Sequence, residues 1–226
     1  MQHSNISLTV DAVVFGYEAP DNLSVLLIKR AIEPFKDCWA LPGGFVREDE
    51  SLEQSVEREL MEETGIAVDY LEQLYSFGEP LRDPRARIIS VSYFGLIKPS
   101  GLELNPTTDA LEAQWFNINN LPELAFDHQA IVDKAISRLR AKVTYEPIGF
   151  ELLNEKFSFS ELENLYTTLL GRQIDRRNFR KKILSFGLLE QLDEQRKEGP
   201  GRPATLFKFD LSKYKSYQEK GLYFEL

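Results

Sequence analysis

The segment from Gly44 to Ile66 reads GFVREDESLEQSVERELMEETGI, and its spacing predicts more of the fold and chemistry than any other stretch. Ser51 stands where a helix N-cap would, apolar residues follow at helical spacing, and Gly65 is placed to end the helix. We therefore predict a helix over Ser51–Thr64 that follows a turn containing two consecutive glycines.

Three carboxylates of this helix are predicted to share one face. Glu59, Glu62 and Glu63 stand at positions i, i+3 and i+4, which are neighbours on a helical surface. Carboxylates this close repel one another, and a hard divalent cation such as Mg²⁺ relieves the repulsion. Arg58 is placed to pair with one carboxylate and hold its rotamer. The segment therefore predicts a magnesium site that also suits phosphate.

An exposed acidic helix with i, i+4 ion pairs is the alternative interpretation of the same residues. This alternative does not explain the two glycines Gly43 and Gly44, Glu50 six residues after Gly44, or the terminal Gly65. The absence of a side chain at Gly43 and Gly44 allows the backbone to approach a bound metal. We therefore favour metal binding, while turnover is a separate question because a site can bind a diphosphate without cleaving it.

The whole pattern resembles the Nudix box, and no position departs from it. The matching residues are Gly44, Glu50, Arg58-Glu59-Leu60, Glu62-Glu63 and Gly65-Ile66. The resemblance implies a phosphohydrolase of nucleoside diphosphates linked to another moiety, with an α/β/α sandwich around a mixed sheet. It implies that Glu59, Glu62 and Glu63 are catalytic ligands of Mg²⁺ or Mn²⁺, supported by Glu50, with Arg58 orienting Glu59. A backbone carbonyl of Gly43 or Gly44 would complete the shell. The general base is left open, since members of the family often take it from a loop outside the box.

Composition sets the remaining bounds. At 226 residues and 42% hydrophobic, the chain has enough apolar residues for one substantial core and a smaller second one. The single cysteine, Cys38, excludes an internal disulfide framework and is expected to be a buried structural thiol. The N-terminus lacks the pattern of a signal peptide, and we expect a cytoplasmic protein.

The coarse pattern predicts strands and helices in the order of a Nudix sandwich. Alternating or apolar runs predict strands at Ser7–Tyr17, Leu23–Lys29, Trp39–Val46, Tyr70–Phe77, Ile88–Ile97 and Glu112–Ile118. Asp127–Lys142 carries a helical apolar stripe, and Val143–Phe150 is the expected junction. We therefore predict a Nudix domain over residues 1–146 and a second domain over residues 147–226.

The second domain differs in charge and in its order of elements. Residues 1–146 hold 24 acidic and 13 basic residues, whereas residues 147–226 hold 12 and 14. Ser160 is expected to cap a helix that ends at Gly171, and Asp175 to cap a second helix, Arg176–Phe186. A strand at Leu188–Leu192, a polar tip and a returning strand at Ala204–Phe209 follow. Helix, turn, basic helix and hairpin is the order of a winged helix-turn-helix.

The basic helix predicts a DNA-binding surface. Six of the eleven residues from Arg172 to Lys182 are Arg or Lys, a local concentration in an acidic chain that suits phosphates. The expected DNA-binding residues are Arg176, Arg177, Asn178, Arg180 and Lys181 on the helix and Arg202 at the wing tip. A solvated basic helix in a small dimerisation or lid domain is the alternative. Phe179, Ile183 and Leu184 are expected in the core under either interpretation.

The chain as a whole resembles the Nudix-related transcriptional regulators. The segments that carry this resemblance are the box, residues 146–190, the wing GRPATLFKF, Arg82-Asp83-Pro84-Arg85 and Ala125-Phe126-Asp127-His128. The resemblance implies a bacterial repressor whose Nudix domain senses ADP-ribose or a related sugar nucleotide or sugar. It implies a homodimer bound to operator DNA. The alternative is a Mg²⁺-dependent hydrolase with an accessory C-terminal domain.

Three arginines near a proline turn are candidate ligand contacts. Arg82, Arg85 and Arg87 could reach a diphosphate or ribose, although exposed loop arginines without such a role are common. His128, near a helix start, is expected to cap or pack rather than to catalyse. Phe35, Trp39 and Tyr93 could stack on adenine, but packing in the core is the expectation.

Overall fold

The computed structural model describes residues 5–68, 71–107, 110–197 and 202–219, without the side chains of Tyr217 and Gln218. By compactness the chain divides into two units. The first comprises residues 1–17 and 23–137, and the second comprises residues 18–22 and 138–226.

The first unit is built on a mixed seven-stranded sheet. Its strands are β1 (Ser7–Ala19), β2 (Asn22–Arg30), β3 (Trp39–Ala40), β4 (Gly43–Phe45), β5 (Leu71–Phe77), β6 (Ile88–Ile97) and β7 (Ala110–Asn117). The order is β3-β2-β1-β6-β5, with β4 also paired to β1 and β7 to β2. β1 and β6 are parallel, whereas β4, β3, β7 and β5 each pair antiparallel with their partners. The predicted mixed sheet is confirmed.

Strand β1 is covered on both faces, as the middle layer of a sandwich requires. Val10, Ala12 and Val14 pack in one cluster with Val56 and Leu60 of helix α1 (Leu52–Thr64). The intervening residues Val13 and Phe15 point to the opposite face, because side chains alternate along a strand, and they are also fully buried. Helix α2 (His128–Tyr145) buries its own stripe, formed by Ile131, Val132, Ala135, Leu139 and Val143.

The ends of helix α1 follow the predicted signals. The Ser51 side chain accepts a hydrogen bond from Gln54 N, and the Gln54 side chain accepts one from Ser51 N, so the helix begins at Leu52 with a capping box. Gly65 closes the helix at φ 76°, a left-handed conformation that glycine adopts without steric cost. The box residues are therefore held on a helix with both ends defined.

The single strand predicted over Trp39–Val46 was wrong. The segment forms two short strands on different neighbours, since β3 pairs with β2 and β4 pairs with β1. Pro42 lies between them; it has no N–H to donate, and its carbonyl accepts a hydrogen bond from Ala12 N. This break turns the two glycines toward helix α1.

The second unit has the order of a winged helix-turn-helix, as predicted. Its elements are β8 (Phe157–Ser158), α3 (Phe159–Leu170), α4 (Arg176–Ser185), β9 (Leu189–Arg196), β10 (Ala204–Phe209) and α5 (Leu211–Glu219), preceded by a short 3-10 helix at Phe150–Leu152. The three strands form an antiparallel sheet in the order β8-β10-β9. Fully buried side chains fill its core, among them Phe157, Leu162, Leu165, Tyr166, Leu169 and Phe207.

Several local predictions for the second unit were wrong. Ser158, not Ser160, caps α3, because the Ser158 hydroxyl accepts from Glu161 N while the Glu161 carboxylate accepts from Ser158 N. The first wing strand continues to Arg196, where Glu161 pairs with that arginine. Helix α2 continues to Tyr145, into the predicted junction. Part of the predicted wing tip, residues 198–201, lies outside the described residues.

Two further expectations for individual side chains were wrong. Cys38 is exposed rather than buried, because it lies in the turn just before β3. Leu184 is 41% exposed, since it lies on the outer side of α4, whereas Phe179 and Ile183 are buried as expected. No described helix is long and apolar enough to cross a membrane.

Candidate ligand site and nucleic-acid interface

A cavity of about 440 Å³ in the first unit brings together most of the predicted site residues. Its walls include the box side chains Arg58, Glu59, Glu62 and Glu63, the glycines Gly43 and Gly44, and the loop arginines Arg82 and Arg85. Glu50 and Arg87 are not among the lining residues. The wall also includes Thr9, Asp11, Arg30, Ile32, Leu41, Phe45, Arg47, Asp83, Phe126 and His128.

Arg58 organises the carboxylates of the box. Its guanidinium donates to both oxygens of Glu50, at 2.8 Å from Nε and 2.6 Å from Nη2. Its Nη1 donates to Glu59 Oε1 at 2.7 Å and to Glu62 Oε2 at 3.2 Å. The bonds from Arg58 hold the pKa of Glu50 down, to about 2. Glu50 therefore supports Arg58 from outside the cavity, and Arg58 orients Glu59 and Glu62.

Glu63 and Glu59 are the two carboxyl groups of the site whose pKa is raised. Burial raises the pKa of Glu63 to about 8, although its Oε2 accepts a hydrogen bond from Gly43 N at 2.8 Å. Burial also raises the pKa of Glu59. A Cβ added at Gly44 would lie 2.3 Å from Glu59 Oε1, so only glycine leaves room for that carboxylate. The arrangement holds one buried and one partly buried acid that a nearby cation would favour in the ionised form.

The donor set suits a hard cation, but the ligands are not grouped around a common point. Within the described ranges, no three His, Cys, Asp or Glu side chains are gathered as a metal site needs. Arg58 accounts for part of this, because it bonds Glu59 and Glu62 and thereby occupies oxygens that a cation would use. The oxygen-only chemistry of Glu59, Glu62 and Glu63 and the raised pKa of two of them fit Mg²⁺ or Mn²⁺.

Arg82 is a structural residue at the cavity wall. It donates to Asp127 through Nε at 2.9 Å and Nη2 at 2.6 Å, and its Nη2 lies 3.5 Å from Asp11 Oδ2. Burial lowers the pKa of Arg82, but these carboxylates more than offset it, so the guanidinium stays charged. His128 accepts a hydrogen bond from Leu41 N at its Nδ1, and burial lowers its pKa. His128 therefore packs rather than faces solvent.

Arg85 lies between two aromatic rings of the cavity. Its guanidinium carbon is 5.2 Å from the ring centroid of Phe45 and 5.6 Å from that of Phe126, and its head group pairs with Asp83. Arg87, the third predicted arginine, instead donates to the carbonyl of Glu79 at 3.3 Å. The three loop arginines therefore differ in place: Arg82 forms a buried structural contact, Arg85 lines the cavity, and Arg87 lies outside it.

The aromatic residues that line the cavity were not predicted from the sequence. Phe45 and Phe126 line it, whereas the three aromatics considered there, Phe35, Trp39 and Tyr93, do not. Phe126 adopts φ 54°, an unusual conformation for a bulky residue, and the guanidinium of Arg30 lies 5.0 Å from its ring centroid. The one available signal was the segment Ala125–His128, because it belongs to the family resemblance.

Helix α4 of the second unit presents one basic face to solvent. Asp175 caps the helix by accepting from Asn178 N, and Phe179 and Ile183 anchor its inner side. At 100° per residue, Arg177 and Lys181 lie on the side opposite these anchors, and both are exposed. Their charges are therefore available to phosphates outside the protein.

The remaining predicted DNA contacts are placed at the flanks of this face. Arg176 bonds Glu163 through Nε at 3.0 Å and Nη2 at 2.8 Å. The guanidinium carbon of Arg180 lies 4.4 Å from the ring centroid of Phe159. Asn178 and Arg202 are exposed, the latter next to the undescribed part of the wing. Arg176 therefore forms an ion pair and Arg180 an aromatic contact within the second unit, and both also add surface charge.

Comparison with known families matches both parts of the chain. Residues 7–139 match the model of the NUDIX domain, and residues 149–209 match that of the NrtR DNA-binding winged helix domain. Together these matches cover almost all of the described chain.

Individual proteins are similar over most of the chain. The ADPR responsive transcriptional repressor NtrR of Acinetobacter baylyi is 35% identical over 211 residues, which cover 92% of this chain and 83% of that protein. The crystal structure of Shewanella oneidensis NrtR complexed with a 27mer DNA superposes with a TM-score of 0.77 at 36% identity, covering 92% of this chain and 95% of that one. The NUDIX domain of the same Shewanella protein, complexed with ADP ribose, superposes with a TM-score of 0.56 at 38% identity, covering 61% and 90%.

Proposed function

Because this chain belongs to the NrtR family of transcriptional regulators, we propose that it is a bacterial repressor that binds operator DNA and responds to ADP-ribose. The observation that carries the proposal is the pairing, in one chain, of a cavity of about 440 Å³ lined by arginines with an outward-facing basic helix in a winged helix unit. Shewanella oneidensis NrtR, which is similar over 92% of this chain, has been crystallised with DNA, and its NUDIX domain has been crystallised with ADP ribose.

The cavity chemistry suits ADP-ribose or a related sugar nucleotide. Arg30, Arg47 and Arg85 supply positive charge for a diphosphate, and Phe45 and Phe126 supply ring faces for a base. Arg82 contributes by holding the loop rather than by direct contact, since its donors are committed to the partly buried carboxylate of Asp127. Arg87, which lies off the cavity, is not needed in this proposal.

We assign a divalent cation, Mg²⁺ or Mn²⁺, to the carboxylates of the box. Glu59, Glu62 and Glu63 would hold it, a backbone carbonyl of Gly43 or Gly44 would add a ligand, and Glu50 would support the group through Arg58. When bound, such a cation neutralises charge on phosphate oxygens and favours attack by water. The residues of the chain orient the diphosphate and keep the carboxylates in place.

Hydrolysis of the ligand is a second candidate function, favoured by the completeness of the box. Every box position carries the expected residue, and Arg58 bonds Glu59 and Glu62, which fixes where these two carboxylates lie. Turnover would make the sensor consume its own signal, and it is compatible with the regulatory function.

The DNA interface is assigned to helix α4 and the wing. We place Arg177 and Lys181 against the phosphates or base edges of the major groove, with Arg176, Asn178 and Arg180 at the flanks and Arg202 on the wing. A homodimer would present two such helices to half-sites separated by roughly one helical turn, about 34–36 Å. A footprint over a single unpaired half-site would argue against the dimer.

DNA selection tests the proposal. Full-length protein would be challenged with random and upstream genomic duplexes at low and moderate salt, with and without ADP-ribose. We expect one palindromic sequence to be enriched and its recovery to change with ADP-ribose. Failure to enrich any sequence at either salt concentration would favour the hydrolase alternative and would leave the basic helix without a role in DNA binding.

A further inference from the structure

Two carboxylates outside the Nudix box line the cavity within the described residues, and they differ in how firmly they are held. Asp11 lies in the middle of strand β1, accepts a hydrogen bond from Ser90 Oγ and lies 3.5 Å from both Arg82 and His128. Those three partners are themselves buried. Asp11 is therefore fixed in a closed network that a substrate cannot open without disrupting the core.

Asp83 has a single and more accessible side-chain partner. Its Oδ2 accepts from Arg85 Nη2 at 2.7 Å, and its Oδ1 accepts from Arg85 Nε at 3.0 Å and Arg85 N at 2.9 Å. The Asp83 side chain is 3% exposed, but that of Arg85 is 36% exposed. The carboxylate is thus buried at the cavity wall under an arginine that has room to move.

Arg85 has two alternative sets of partners within reach of the cavity. In this structure it is held by Asp83 and stacks between the rings of Phe45 and Phe126. A diphosphate carries more charge than one carboxylate and accepts the same forked pair of hydrogen bonds. A diphosphate entering the cavity therefore competes with Asp83 for the guanidinium.

We propose that Asp83 is the general base for hydrolysis of bound ADP-ribose, and that Arg85 covers it until the ligand's diphosphate draws the guanidinium away. The proposal rests on the ligand class proposed above and extends it to a catalytic residue. The regulator would then remove its own effector only after Arg85 has engaged the diphosphate.

The charge balance of Asp83 supports such a change of state. Burial raises its pKa, and the hydrogen bonds from Arg85, assisted by the nearby charge of Arg82, more than offset this and leave the pKa low. Once Arg85 moves to the ligand, the hydrogen bonds that lower the pKa of Asp83 are lost and the carboxylate becomes a better proton acceptor. Arg82 stays paired with Asp127 and limits how far the pKa rises.

The chemical step is a balanced hydrolysis. Asp83 accepts a proton from water as the water oxygen forms a bond to one phosphorus of the diphosphate. The bond from that phosphorus to the bridging oxygen breaks, and the bridging oxygen leaves with the second phosphate. The products are AMP and ribose 5-phosphate, and the proton on Asp83 passes to solvent.

The affinity for ADP-ribose without metal tests, independently of activity, whether the Asp83–Arg85 ion pair competes with the ligand. With EDTA present, Asp83→Asn in the full-length chain should bind ADP-ribose about two- to fivefold more tightly, because Arg85 is released from its ion pair. Asparagine keeps the oxygen that accepts from Arg85 N, so the turn is preserved. Arg85→Ala should weaken binding about tenfold, and adding Asp83→Asn to it should change nothing further. The competition would be overturned if Asp83→Asn bound ADP-ribose more weakly than wild type. It would also be overturned if Asp83→Asn raised the affinity equally in the Arg85→Ala background.

Turnover tests the base. With Mg²⁺ and ADP-ribose, Asp83→Asn should lower kcat by at least about 100-fold, measured as AMP formed, without raising KM. Glu79→Gln is the matched control, because Glu79 is an exposed carboxylate of the same loop that does not line the cavity. Unchanged kcat in Asp83→Asn, or a wild-type protein that binds ADP-ribose without cleaving it, would overturn the role of Asp83 as base but not the proposed function. Absence of ADP-ribose binding by the wild type would overturn the proposed function as well.

Discussion

Arg82 and Asp127 form a two-pronged ion pair across 45 positions of sequence, with N···O distances of 2.6 and 2.9 Å. The pair ties the loop after β5 to the residue that precedes helix α2. Arg82 lies in a segment expected to contact ligand, yet its guanidinium is almost fully buried and committed to carboxylates. The ion pair therefore shapes the cavity by holding two of its walls together.

Replacing Arg82 should destabilise the first unit. Arg82→Ala leaves Asp11 and Asp127 without their shared cation; breaking a fully buried pair costs roughly 3–5 kcal/mol, and we expect a loss toward the lower end because the Asp127 side chain is 23% exposed. Urea unfolding of the full-length protein measures the loss, with Lys36→Ala as a control that removes an exposed cation. A loss below about 1 kcal/mol would show that the pair contributes little to the fold.

The buried carboxyl of Glu63 should make stability depend on pH when metal is absent. Its pKa is raised from 4.5 to about 8, so the folded state holds a proton that the unfolded state releases between these values. The contribution of Glu63 is therefore complete below about pH 4.5 and is lost as pH rises toward 8. In EDTA, the stability of wild type minus that of Glu63→Gln should fall between about pH 5 and pH 8. Mg²⁺ added at pH 8 should stabilise wild type more than the variant. Parallel pH profiles of the two proteins would show that Glu63 does not take up a proton on folding.

Gly44→Ala should impair the metal site. The new methyl group would lie 2.3 Å from Glu59 Oε1, so the carboxylate must move from its place beside Arg58. We expect Mg²⁺ affinity to fall at least about tenfold, a loss within the range for displaced supporting groups. Isothermal titration with Mg²⁺ checks this, and operator binding without ligand should persist. If Gly44→Ala bound Mg²⁺ with the affinity of wild type, the metal would have to lie elsewhere.

The outer cations of helix α4 should govern DNA affinity. Arg177→Ala and Lys181→Ala should each weaken operator binding and reduce the slope of log affinity against log salt by about 0.9 for each phosphate that is no longer neutralised. Both side chains are exposed, so the free energy of unfolding should change by less than about 0.5 kcal/mol. Fluorescence anisotropy across a salt series measures the slope. An unchanged slope in both variants would remove this face from the interface.

Arg180 is expected to behave differently from Arg177. Its guanidinium lies over Phe159 and near Phe207, and the interaction is worth about 0.5–1 kcal/mol at an exposed site. Arg180→Ala should therefore lower stability as well as DNA affinity, whereas Arg180→Lys should retain part of both. Urea unfolding and operator titration measure the two effects. An unchanged free energy of unfolding in Arg180→Ala would show that the contact with Phe159 does not stabilise the fold.

The sequence was a good guide wherever a local signal had one structural solution. Ser51 and Gly65 bound helix α1 as their residue types predict, and Asp175 caps α4. For α3 two serines offered the same spacing to a glutamate, and tertiary interactions decided between them: Glu163 pairs with Arg176, while Glu161 completes the cap at Ser158. Propensity alone does not distinguish these alternatives.

The cavity itself was less predictable, because it depends on interactions between distant segments. The box carboxylates follow from spacing on one helix, but Phe45, Phe126 and Arg30 meet only when three separate segments fold together. The roles of Arg82, Arg85 and Arg87 also diverge for a reason invisible in the sequence. Each pairs with a different acceptor, namely Asp127, Asp83 and the carbonyl of Glu79.

A reciprocal titration measures whether the ADP-ribose cavity and operator binding are coupled in this chain. Operator affinity would be measured with and without saturating ADP-ribose, and ADP-ribose affinity with and without operator, in EDTA to prevent hydrolysis. We predict that each ligand changes the affinity for the other by the same factor, about 5- to 150-fold, as linkage requires. Equal operator affinities with and without bound ADP-ribose would show that the two sites are not coupled.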